Sequence, residues 1–266
     1  MHTRPPHHPG NRIWLLSGTG EGPPLATALL ARGWRLRVWV VSEGAARSYP
    51  AAPALELAVG PIGGTKAVAE ALARAEAAGE GPAWVVDATH PFARRISADL
   101  AEACRLRAQP LLRLQRPLLP LGGATLLENL SALITVPLTG RSLLLAIGAR
   151  HLASAVAHSP GSRHHARILP SSGALAEAMA AGLAADRVAC LRPSPGGLIE
   201  RALCRRWGIE AVLCRRSGGV TEHLWHTLAA EFGLPLLLLE RPPEPPGLEC
   251  HGMESLLDRL GTPEWG

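Results

Sequence analysis

Several short segments of this 266-residue chain carry side chains suited to anion binding or proton chemistry. The first is Ser17-Gly18-Thr19-Gly20-Glu21-Gly22. Glycines leave backbone amides free to close on a phosphate, and a helix starting behind them adds the positive end of its dipole. The Ser17 and Thr19 hydroxyls are further donors. The segment is neither a full G-x-G-x-x-G nor a P-loop, because no Gly-Lys-Ser/Thr follows. A plain strand-to-helix turn would need the same glycines for steric reasons. Downstream, Ser42-Glu43-Gly44-Ala45-Ala46-Arg47 stands where a dinucleotide fold reads its adenine ribose. Glu43 suits ribose hydroxyls, and Ser42 with Arg47 suits a 2′-phosphate, so both forms of the dinucleotide stay open.

A second segment, Asp87-Ala88-Thr89-His90-Pro91-Phe92-Ala93, ends an apolar run. Thr89 is placed to cap a following helix and Pro91 suits its first position. Neither role explains why Asp87 and His90 flank one turn; His90 is able to give a proton or meet an anion. Two basic, glycine-bearing stretches follow, Arg192-Pro193-Ser194-Pro195-Gly196-Gly197 and Arg215-Arg216-Ser217-Gly218-Gly219. Each reads as a phosphate or carboxylate contact or as a solvated loop. Arg113, inside an apolar run, needs a partner: an internal ion pair or a substrate. The remaining histidines show no metal spacing, and the His164-His165 pair reads as surface.

These segments are positioned by alternating elements. Continuous apolar runs at 13–16, 36–41, 83–86 and 111–114 read as strands, with helices at 25–32, 66–78 and 93–108 between them. The second half repeats the rhythm, with strands at 142–147, 167–169, 188–191, 211–214 and 236–239 and helices at 174–181, 199–207 and 222–231. Continuous rather than alternating apolar runs fit parallel sheets covered on both faces. The segments QPLLRLQRP (109–117) and LPLLLLERP (234–242) resemble each other and point to two similar α/β halves. The expected fold is therefore α/β, with two Rossmann-like lobes, parallel sheets and a cleft between them. The lobes are expected at 12–130 and 131–242, with a tail at 1–11 and a Pro-rich tail at 243–266.

Composition narrows the classes. At 47% hydrophobic and 18% charged residues, the chain has enough apolar material for a sizeable core. No apolar run reaches the roughly 20 residues of a membrane span, and no secretory leader pattern opens the chain. Five scattered cysteines without a CxxC pair read as free thiols of a reducing, cytoplasmic compartment, with no metal site expected. The net charge is +5, and nearly all of the positive charge is arginine. A GC-rich genome explains this by itself; a surface for planar anions is the reading that motifs would have to support. No aromatic series interleaves with the basic residues, so a nucleic-acid partner is not expected.

Taken together, the segments resemble precorrin-6A reductases. That family opens with a strand and a GGTxEG-type turn, matched here by SGTGEG with Ser17 in place of the first glycine. It carries DATHPFA followed by A-x-x-I-S, matched at Asp87–Ala93 and by Arg94-Arg95-Ile96-Ser97. It continues with P-L-L-R-L-x-R-P, matched at 110–117, and with a K-x-S-G turn, matched at Arg215–Gly218. The resemblance spans roughly 12–242. Arg215 stands where the family usually has lysine, and no lysine stands near His223 to Trp225.

The resemblance implies hydride transfer from NADPH or NADH to a conjugated carbon of a cobalt-free or cobalt-containing corrinoid precursor rich in carboxylates, with cofactor and ring between the halves. The residues expected at the cofactor are Ser17, Gly18, Thr19, Gly20, Glu21, Gly22, Ser42 and Thr89. Those expected at the substrate are Arg113, Arg215, Ser217 and Gly218, with His90 as proton donor and solvent as the alternative. The expected partners are the small corrinoid substrate and at most a small homo-oligomer, without nucleic acid or membrane. A non-catalytic dinucleotide sensor is the competing expectation.

Overall fold

The computed structural model describes residues 10–18 and 20–263. Its chain divides into two compact units, one of residues up to 117 together with those from 242 onward, the other of residues 118–241. Among the described residues no helix is long and apolar enough to cross a membrane.

The first unit contains β1 (Arg12–Ser17), α1 (Gly22–Ala31), β2 (Arg35–Val40), α2 (Glu43–Ala46), β3 (Leu55–Val59), α3 (Gly64–Ala77), β4 (Trp84–Ala88), α4 (Arg94–Leu106) and β5 (Leu111–Leu114). The second contains β6 (Thr125–Leu127), β7 (Ser142–Ala146), α5 (Leu152–His158), β8 (Arg163–Ile168), α6 (Ser172–Ala180), β9 (Val188–Cys190), α7 (Leu198–Trp207), β10 (Ala211–Arg215), α8 (Val220–Phe232) and β11 (Leu236–Leu239). The chain then returns to the first unit with β12 (Glu249–His251) and α9 (Met253–Leu260).

Each unit holds a six-stranded sheet, ordered β12-β5-β4-β1-β2-β3 and β6-β11-β10-β7-β8-β9, and every pairing is parallel. Read from the far edge, the first is the doubly wound order 3-2-1-4-5-6; the second follows the same order for β7 to β11, with its sixth place taken by β6, the strand that precedes them in the chain. The strands of the two matching sequence segments, β5 and β11, take the same place in their sheets. The sixth strand of each sheet is drawn from beyond the Arg-Pro stop that ends the other unit's fifth strand: β6 follows β5 in sequence but pairs with β11, and β12 follows β11 but pairs with β5.

The pleat explains why these strands read as continuous apolar runs. Along β1, Ile13 and Leu15 join a core with Leu25 and Leu29 of α1 and Leu256 and Leu260 of α9. Trp14 and Leu16 point the other way, into a core with Val68 and Leu72 of α3 and Leu100 of α4. In β7, Leu143 and Leu145 face the α5 and α6 side, and Leu144 faces α7 and α8. Both faces of both sheets are therefore buried, which requires apolar side chains at successive positions.

Three expectations are corrected. The Pro-rich piece after Glu240 and the residues beyond it are not a tail: β12 completes the first sheet, Leu256 and Leu260 are buried, and the Trp34 indole donates to the Gly261 carbonyl at 3.0 Å. The first lobe does not run to 130, because β6 pairs in the second sheet. β8 begins four residues earlier than the apolar run 167–169, and it buries His165 to 6% exposure beside the Trp207 ring, with centroids 4.9 Å apart. Of the expected N-terminal tail, residues 1–9 lie outside the described residues.

Candidate functional site

In a doubly wound sheet, ligands bind beyond the carboxyl ends of the strands where the order reverses. In the first unit that point lies between β1 and β4, which pair Leu16 with Asp87 and Ser17 with Ala88. The turn after β1 and the Thr89–Ala93 segment after β4 therefore share one crevice. A Cβ added to Gly18 would lie 3.8 Å from the His90 nitrogen and 4.0 Å from the Thr89 Cα, which measures how close the two segments come.

Gly22 is the residue that sets this turn. A Cβ there would stand 1.9 Å from Ser17 Oγ and 2.2 Å from the Tyr49 hydroxyl, so only glycine lets α1 start this close to the end of β1. The two residues after it are Pro23 and Pro24, which carry no amide hydrogen. The usual donors of a helix N-terminus are thus missing from α1, and an anion bound here takes its hydrogen bonds from the 18–22 turn and its field from the helix dipole. Thr19, expected among those donors, lies outside the described residues.

The other expected cofactor contacts fall as follows. Ser17 is buried, and Gly20 lies in the turn. Glu21 Oε2 pairs with Arg116 Nη2 at 2.5 Å, so its carboxylate is engaged and brings a guanidinium to the base of the turn. Ser42 caps α2, its Oγ accepting from the Ala45 amide at 3.3 Å. Glu43 and Arg47 are both exposed at that end of β2.

Tyr49 carried no signal in the sequence. It is the chain's only tyrosine, and its hydroxyl sits beneath Gly22 beside Ser17. Burial pushes its pKa up, with Ser17 pulling the other way. That hydroxyl lies against Ser17 but makes no hydrogen bond to the described residues of the turn itself. Replacing it with phenylalanine removes the contact with Ser17, and a rise of about two- to tenfold in the dinucleotide dissociation constant is expected, the scale of a polar contact worth about 0.5–1.5 kcal/mol. Calorimetric titration of Tyr49→Phe checks this, and an unchanged constant would leave Tyr49 a packing residue.

The Asp87–Ala93 segment is organised by Arg113. This guanidinium is 1% exposed. Its Nη1 lies 2.8 Å from Asp87 Oδ1, and its Nε donates to Glu244 Oε2 at 3.1 Å. The same Nη1 donates to the Thr89 carbonyl at 3.1 Å and to Thr89 Oγ1 at 3.2 Å. Arg113 is therefore committed to buried partners, which argues against the substrate contact expected of it. It makes the internal ion pair that its apolar setting demanded, and the second carboxylate comes from the returning C-terminal segment. Asp87 in turn accepts the Thr89 amide at 2.9 Å. Thr89 does not cap α4, whose N-cap is Ala93 with no side-chain bond; its hydroxyl is spent on Arg113 and lies 3.3 Å from Ser97 Oγ. Pro91 occupies the second position of a turn closed by the Ala93 amide on the His90 carbonyl at 2.7 Å, not the first position of a helix.

That turn also sets the chemistry of His90. The Phe92 amide donates to His90 Nδ1 at 3.1 Å. With Nδ1 accepting, the neutral ring carries its proton on Nε2. In this tautomer the imidazole is a hydrogen-bond donor at Nε2.

The second unit has its own switch point, between β7 and β10. Arg215 ends β10 against Gly148, whose φ is +80°; a Cβ there would lie 2.8 Å from Arg215 Nη2. Burial first, and the charge of Arg150 second, push the Arg215 pKa down to about 10. Ser217 is buried, and the Gly218 amide donates to the buried Glu222 carboxylate at 2.6 Å. The cradle expected from Ser217 and Gly218 is thus filled from within by a side chain of α8; of the three residues expected there Ser217 is buried, and Arg215 and Gly218 are half-buried.

A family described as "Precorrin-6x reductase CbiJ/CobK" matches residues 12–261. The chain is 33% identical over 241 residues to the cobalt-precorrin-6A reductase of Synechocystis sp., covering 88% of this chain and 90% of that one. It is 29% identical over 257 residues to the precorrin-6A reductase of Rhodobacter capsulatus, covering 94% and 95%. A solved structure, CobK precorrin-6A reductase, superposes with a TM-score of 0.74 at 26% identity, covering 96% of this chain and 99% of that one.

Proposed function

The chain belongs to the precorrin-6x reductase CbiJ/CobK family, and from that premise we propose that it reduces a conjugated double bond of precorrin-6A, or of its cobalt form, with a nicotinamide dinucleotide as reductant. The observation that carries this reading is the meeting of the glycine turn and the Thr89–Ala93 segment at the switch point of the first sheet.

The residues there fit a dinucleotide. The turn at 18–22 and the dipole of α1 hold the diphosphate, and the missing Cβ of Gly22 keeps that turn against β1. Ser42, Glu43 and Arg47 stand at the end of β2, where the adenine ribose would be read. A reduced nicotinamide, when bound, supplies the hydride. The protein's share is alignment: Arg113 fixes the Thr89 backbone and hydroxyl, and the 90–93 turn fixes the His90 ring. His90, with its proton on Nε2, is placed to donate the proton that completes the reduction, and solvent is the alternative donor.

Alanine at position 90 is expected to lower kcat roughly tenfold to hundredfold, the scale of losing one placed donor. Glutamine, whose terminal amide reaches the position of Nε2, restores part of it. Rates equal to the parent for His90→Ala would remove the residue from the mechanism.

An anaerobic assay following NADH and NADPH absorbance with precorrin-6A and with its cobalt form tests the whole reading. Oxidation that depends on the corrinoid is the expected result. Dinucleotide binding without such oxidation would make the protein a sensor.

A further inference from the structure

The second unit turns an unusual surface toward the carboxyl ends of its strands. Val220 is 78% exposed, Leu198 69% and Leu169 56%. Val220 and Leu198 are the first residues of α8 and α7, and Leu169 follows the last residue of β8. Helix starts usually carry polar residues that satisfy the first amides, so leucine and valine are costly choices for solvent. Large exposed apolar residues on these two helices are confined to the first turns, Ile199 included; further along, the exposed positions are Ala202, Arg205 and Arg206 on α7 and His223, Thr227, Ala230 and Glu231 on α8. The two starts are pressed together: a Cβ at Gly197 would come 2.3 Å from Leu224 Cδ1. Arginines border the same end. Arg150 follows β7, Arg192 follows β9, and Arg215 ends β10 within electrostatic reach of Arg150. An apolar ledge edged by guanidinium groups is complementary to a flat, apolar ring that carries carboxylates around its rim.

We propose that this face is the seat of the tetrapyrrole: Leu169, Leu198 and Val220 lie against the ring, and Arg150, Arg192 and Arg215 hold its peripheral carboxylates. The proposal rests on the corrinoid reading above; it keeps Arg192 and Arg215, whose loops the sequence offered for carboxylates, and adds Arg150, Leu169, Leu198 and Val220, which no motif marked. It also accounts for the interior use of Arg113 and Gly218, which leaves the carboxylates to other groups.

The test uses the full chain and the double variant Leu198→Ser/Val220→Ser, with thermal melting and light scattering to establish that fold and mass are those of the parent. In the anaerobic assay the KM for precorrin-6A is expected to rise about tenfold or more, with kcat and the KM for the dinucleotide within about twofold. Uroporphyrin, a tetrapyrrole with eight carboxylates, serves as a binding probe that needs no turnover; its fluorescence titration is expected to weaken by a similar factor, and further in Arg150→Gln/Arg192→Gln. Parent-like corrinoid KM in the double variant, with the parent active, overturns the seat and leaves the reductase reading standing. An inactive parent sinks the reductase reading, and equal uroporphyrin binding by parent and variant then sinks the seat separately. A change of mass from oligomer to monomer in the variant would make the ledge a contact between copies of this chain, and would also overturn the proposal.

Discussion

Alanine in place of Gly22 is expected to weaken dinucleotide binding about a hundredfold, equivalent to about 2.7 kcal/mol. The added methyl would stand 1.9 Å from Ser17 Oγ and 2.8 Å from Ser17 Cβ, inside any real contact distance. Either Ser17 and Tyr49 rotate away or the start of α1 lifts from β1, and both displace the amides that close on the diphosphate. The strain of overpacking such a site is about 1–3 kcal/mol, so the melting temperature should fall by only a few degrees. Calorimetric titration with NADPH and NADH, beside a thermal melt, separates the two effects. The cause can be checked by relief: Ser17→Gly with Tyr49→Phe removes the three atoms nearest the new methyl and should recover the affinity down to the loss that these two changes carry by themselves. Binding that stays weak in that background would mean that Gly22 matters for another reason.

Methionine in place of Arg113 should be the most destabilising of the single changes considered. It leaves Asp87, which is wholly buried, and Glu244, 14% exposed, without their cation. Breaking a buried pair from one side costs about 3–5 kcal/mol, far more than the pair contributes over an apolar substitute. A fall in melting temperature of about 10 °C is expected for a protein of this size. Turnover should fall further than stability explains, because Thr89 loses the donor that fixes its carbonyl and hydroxyl. Adding Asp87→Asn to Arg113→Met removes the stranded charge and should return part of the stability without returning the activity. Recovery of both together would show that Arg113 acts on the fold alone.

The strands buried on two faces were legible because both pleats demand apolar residues. β1, β4, β7, β10 and β11 read as unbroken runs, and β5 as a run interrupted only by Arg113. Of the edge strands, β9 was legible at 188–191, while β3, β6 and β12 were not. β6 and β12 have three residues each, and Glu249-Cys250-His251 carries no apolar signature. A strand that pairs on one side needs few apolar contacts, so its composition says little. The missed β12 is also why residues after 242 read as a tail.

At the site, the glycine turn and the Asp87–Ala93 segment were legible as ligand-side loops, because strand ends in a parallel sheet have a fixed place. The partners within them were not. Arg113 and Glu244 are 131 residues apart, and nothing local marks one for the other. Glu222 reads as an ordinary first-turn acid until its carboxylate is seen on the Gly218 amide. Tyr49 is polar only at its tip, and its use depends on where Gly22 brings α1.

The origin of the sixth strands bears on how the chain is made. Because β12 follows the whole second unit in the chain, the first unit waits with an open sheet edge while that unit is synthesised, on the order of ten seconds at ordinary elongation rates. Nascent chains arrested anywhere before residue 249 would carry an unfinished β5 edge, vulnerable to chaperones, proteases or another nascent chain on the same message. Any change that keeps β12 from pairing with β5 would harm the amino-terminal half of the protein first.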